Sequence, residues 1–107
     1  MRVLLDEGVP VQVRNALVGH DVSTAQKLGW GGLSNGELLH RAEQDGFELF
    51  IVADTNLRYQ QNLTGRKLAI LELWTNHRPT LEKHLGKIKT AVEGIAAGEY
   101  VVLESPE

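Results

Sequence analysis

Leu49-Phe50-Ile51-Val52-Ala53-Asp54 is the stretch that decides the fold. Successive side chains of a strand point to opposite faces, so five apolar residues in a row leave no wet face. The run therefore reads as a central parallel strand covered on both sides, and it stops at an acid. Working outward, Arg2 to Leu5 is a second such run and stops at Asp6-Glu7-Gly8. Leu68 to Leu71 is a third, following the polar stretch from Thr55 to Arg66 and ending near Trp74-Thr75-Asn76. Asp21 to Thr24 and Tyr100 to Leu103 supply two shorter strands.

Helical signals fall between these runs. Pro10 suits a first turn, and Val9, Val13 and Leu17 share one face before Gly19 stops the helix. Ser34-Asn35-Gly36-Glu37 has the spacing of a capping box, with Leu38, Leu39 and Ala42 on the apolar side and an end near Gly46. Pro79 opens a last helix whose Leu81, Leu85, Ile88, Val92 and Ile95 form one stripe. Alternating strands and helices predict an α/β domain of three αβα layers, with a mainly parallel five-stranded sheet wound in the order 2-1-3-4-5. Ligands of such sheets bind beyond the carboxyl ends of the strands where the winding reverses, which here falls between Asp6 and Asp54.

Composition bounds the chemistry. The chain has 107 residues, enough for one core and one domain spanning 1–107. Without cysteine, thiolate metal sites, thiol nucleophiles and disulfides are excluded, leaving oxygen and nitrogen ligands. A net charge of −3 gives no broad positive field for coating nucleic acid, so any such contact must be local. The start is too soon acidic for a signal peptide and no run approaches a membrane span, which predicts a cytoplasmic protein.

Two carboxylates at about 5 Å repel by roughly 3 kcal/mol at an effective dielectric near 20, so converging acids call for a cation, a shared proton or a working role. Magnesium or manganese fits, since both prefer oxygen ligands and keep open positions for water. Asp6 and Asp54 are placed for this, although either alone could simply start a turn. Glu37 has a sufficient structural task in the capping box, and at a helix N-terminus it could also present its carboxylate inward. Glu7, adjacent to Asp6, should face the other way.

The motifs Leu4-Leu5-Asp6-Glu7-Gly8-Val9-Pro10, Gly19-His20-Asp21-Val22, Ser34-Asn35-Gly36-Glu37-Leu38-Leu39 and Val52-Ala53-Asp54-Thr55-Asn56-Leu57 resemble the PIN-like family. The chain is similar in particular to its short bacterial branch of VapC-type toxins, over roughly the first two-thirds of the sequence. The resemblance implies a PIN-like fold and Mg²⁺- or Mn²⁺-dependent cleavage of single-stranded RNA, with Asp6, Glu37 and Asp54 as the catalytic, metal-binding acids. It departs at Asn56, where the family often has a second Asp. An amide oxygen can ligate there but brings no charge, which puts a two-metal site in doubt. The partners implied are RNA, a small antitoxin protein and a homodimer.

Beyond the acids, Arg58 and Arg66, with Lys67, either contact phosphates or are solvated charge. Tyr59, Gln60 and Gln61 suit unpaired bases, or form a short helix. Trp30 among glycines is a lid over the core or an exposed platform, and His77 is the one histidine beyond a strand end. Two other functions compete. A phospho-receiver switch would phosphorylate Asp54, but the lysine that receivers carry after strand five is missing from Val101 to Glu107. A PIN-like module that binds RNA or protein without cutting is compatible with Asn56.

Overall fold

In the computed structural model, which describes residues 1–53 and 66–106, the apolar runs become β1 (Arg2–Leu5), β2 (Asp21–Thr24), β3 (Leu49–Val52), β4 (Ala69–Glu72) and β5 (Tyr100–Val102). They form one sheet in the order β2-β1-β3-β4-β5, and every pairing is parallel. The central position of β3 explains its unbroken apolar run, since all four of its residues are buried. At the edges β2 and β5 are only partly covered, as their mixed composition allows.

Alternation along the strands divides the core between two faces. Leu4, Phe50, Val52 and Ile70 pack against Leu38, Leu39 and Ala42 of α1 (Asn35–Gln44). Val3, Leu5, Ile51 and Leu71 pack against Val13, Leu17, Leu81, Ile88 and Val92 on the other side. The result is the expected three-layer αβα arrangement. In α1 the Ser34 hydroxyl accepts from the Glu37 N–H at 3.3 Å, capping one of the orphan donors of the first turn. Its other end is closed by Arg2, whose guanidinium donates to the Asp45 carbonyl and lies 4.3 Å above the Phe47 ring.

Two helices differ from the sequence expectation. The segment after Pro10 is a 3₁₀ helix, Val11–Ala16, closed by i to i+3 bonds such as Leu17 N–H to Arg14 O at 2.9 Å. The tighter winding still buries Val9, Val13 and Leu17. The last helix is two: α2 (Arg78–Lys83) and α3 (Leu85–Gly94), broken at His84 with φ −124° and ψ 27°. Gly86 weakens the junction, while Leu81, Ile88 and Val92 all stay buried. No helix among the described residues is long and apolar enough to cross a membrane.

Candidate functional site

Asp6 stands where the winding of the sheet reverses. Its N–H donates to Ile51 O at 3.0 Å, carrying the β1–β3 ladder one residue beyond Leu5. Its carbonyl accepts from Val9 N–H at 3.0 Å, so backbone bonds close the turn and fix the residue from both sides. The register puts Asp6 level with Val52, the last residue of β3. The side chain is half-buried, and its Oδ2 would lie 3.7 Å from a Cβ on Gly8. Glu7, as expected, turns outward and is exposed, its carboxylate beside Gly31.

Glu37 reaches the same edge from a different element. Because α1 runs back toward the start of β3, its first turn lies at the carboxyl ends of the strands, and Glu37 is exposed there. Asp54, Asn56, Arg58, Tyr59, Gln60 and Gln61 lie outside the described residues. Among the described residues no three His, Asp or Glu side chains surround one point.

Arg66 is not brought to Asp6 or Glu37. It precedes β4, so it sits at the opposite edge of the sheet, where its guanidinium lies 3.5 Å from Glu43 and its backbone borders Gly98. A rise of about 3.3 Å per residue over a four-residue strand separates the two edges by on the order of 13 Å. Lys67, at the same far edge, borders a groove of about 480 Å³ floored by Phe47, Leu68 and Ile95. Trp30 packs as a core lid: it is partly buried and meets Phe47 edge-on at 6.0 Å. His77 occupies the N-cap position of α2, and its Nδ1 lies 2.9 Å from the Thr80 hydroxyl, a side-chain contact that caps no backbone N–H.

Glu72 is the acid that the sequence reading passed over. It is 2% exposed, and the Tyr100 hydroxyl donates to its Oε1 at 2.6 Å. By register it lies level with Val52 and therefore with Asp6, two strands away. The available signal was its place between Leu71 and Leu73, in a strand whose two faces are both covered, which leaves a carboxylate no route to solvent. Comparison of the chain with family models, with curated proteins and with solved structures gives no match.

Proposed function

We propose that this chain is a metal-dependent ribonuclease that hydrolyses phosphodiester bonds of single-stranded RNA. The observation that carries the reading is the position of Asp6, pinned by its backbone at the switch point between the ends of β1 and β3, where open α/β sheets hold their ligands. Glu37 supports it from the first turn of α1 on the same edge. The donor chemistry fits a hard divalent cation, since these groups offer carboxylate oxygens and no soft ligand competes. Asp6 and Glu37, with Asp54, would hold Mg²⁺ or Mn²⁺, which when bound supplies positive charge at the phosphate and an activated water. Asp6 contributes a fixed negative charge whose half-buried setting limits screening by solvent. The likeness to toxin-type PIN domains extends the proposal to a cytoplasmic enzyme, a homodimer and a small antitoxin protein that covers the acid edge.

The test is cleavage of unstructured RNA by purified protein with Mn²⁺ and with chelator. Chelator-sensitive cleavage lost in Asp6→Asn supports the reading, and cleavage indifferent to both removes it. Co-purification of a small protein from the native cell, and its release of activity on removal, tests the antitoxin partner.

A further inference from the structure

The edge strand β2 keeps part of its backbone unpaired. Asp21 N–H donates to Met1 O and Ala25 N–H to Leu5 O, so residues 21, 23 and 25 face β1. Val22 and Thr24 therefore turn their backbone groups away from the sheet. The Thr24 carbonyl accepts from Leu28 N–H at 3.2 Å, but the Val22 N–H, the Val22 carbonyl and the Thr24 N–H have no partner among the described residues. Such a row is a template for another strand, and proteins commonly guard it with lysine, proline or a bulge. None of these occurs in β2, whose one charge, Asp21, lies 3.8 Å from Arg2.

The surroundings of β2 are as unguarded as the strand. Among the described residues the large apolar side chains that stand exposed are Val11 (43%), Val18 (87%) and Leu28 (36%), all on the segments that lead into and out of β2. The same stretch is poor in charge. The chain has 11 Lys and Arg and 14 Asp and Glu, yet between Gly8 and Ser34, about a quarter of its length, only Arg14, Asp21 and Lys27 are charged. Depletion of charge is the compositional mark of the centre of a protein interface, and the opposite of what a phosphate backbone would need.

We infer that two copies of this chain pair through β2, antiparallel about a two-fold axis at Val22, to give one sheet continuous across the dimer. The edge is complementary to itself. About that axis each Val22 exchanges both backbone bonds with Val22 of the second copy. Each Thr24 N–H meets the carbonyl of His20 of the second copy, which points outward because it opposes the Asp21 N–H across a trans peptide. Asp21 falls opposite Ser23 of the second copy, so a carboxylate faces a hydroxyl and not another acid. The axis also turns the Val18 end of one 3₁₀ helix toward the Val11 end of the other. Four residues of pairing hold little alone, and these valines supply the apolar contact. The inference gives the proposed homodimer its surface and does not depend on ribonuclease activity.

The experiment is sedimentation of the purified chain over a range of concentrations, joined to cysteine cross-linking, for which a chain without cysteine leaves a clean background. The wild type should dimerise, and almost independently of salt, since little charge lies at the contact. Val22→Pro, which an edge strand tolerates, and Val18→Lys, at an 87% exposed position, should each weaken the dimer about tenfold or more with melting little changed. Opposite residues of a non-hydrogen-bonded pair stand about 4.5 Å apart, within disulfide reach. A mixture of Asp21→Cys and Ser23→Cys proteins should therefore cross-link on oxidation, whereas either variant alone should not. A monomer at every concentration overturns the inference and the homodimer together. A dimer that resists both Val22→Pro and Val18→Lys, or that cross-links equally in all three cysteine samples, overturns this edge and leaves a homodimer through another face. A wild type that dimerises as described yet never cleaves RNA keeps the edge and loses the ribonuclease reading.

Discussion

Tyr100 and Glu72 form a 2.6 Å hydrogen bond across β4 and β5, and it joins an edge strand to a carboxylate that is 2% exposed. Removing the donor leaves a buried carboxyl oxygen without its hydrogen bond. Tyr100→Phe should therefore destabilise by about 1–3 kcal/mol in urea unfolding. Glu72→Gln, which keeps shape and an acceptor, should lose less. A Tyr100→Phe protein as stable as wild type would mean that this bond is not needed to hold the carboxylate in the core.

On the proposed function, metal binding should stabilise the fold, because a cation would relieve the repulsion among the acids that hold it. With Mn²⁺ at 100 times its Kd the gain is about 2.7 kcal/mol. For a domain of this size that is roughly 10 °C or more in Tm. Asp6→Asn should shrink the shift and raise the metal-free Tm. Superimposable melts with and without Mn²⁺ would rule out the site.

The acids should be separable from the fold in their effects on rate. Asp6→Asn and Asp54→Asn remove a charge while nearly preserving shape. Each should lower RNA cleavage by more than about 100-fold, the upper end of what outer-shell partners of a metal are worth. Urea unfolding measured alongside should show both variants folded; a variant that loses rate only because it unfolds would say nothing for the acid edge.

Arg66→Ala should leave cleavage and its salt dependence unchanged, because its guanidinium faces Glu43 at the far edge of the sheet. The pair is partly exposed, so its loss should cost about 1 kcal/mol or less. A flattened salt dependence in this variant would instead place RNA along that edge.

The strand order was legible because a run such as Leu49 to Val52 has one solution, a covered parallel strand in the middle. The helices were less so. A stripe of apolar residues from Leu81 to Ile95 reports burial, not continuity, and the break at His84 preserves the one without the other. Asp6 was readable as a strand-end acid at the winding reversal, and the structure puts it there. Arg66 was placed by its nearness in sequence to Asp54, which neglects that the chain must return to the opposite edge before a parallel strand can begin. Glu72 was missed because an acid at the end of an apolar run looks like a terminus, whereas the ladder continues through it to Leu103.

The all-parallel pairing has a bearing on how the protein is made. No two adjacent strands are joined by a hairpin, so Val3 must wait on the ribosome for Leu49 before β1 and β3 can pair. At roughly 5–20 residues per second that delay is on the order of 2–9 s. The acid edge is a product of that late pairing. Until β3 has emerged, the backbone of Asp6 has no Ile51 carbonyl to donate to, and the residue is not held at the strand ends.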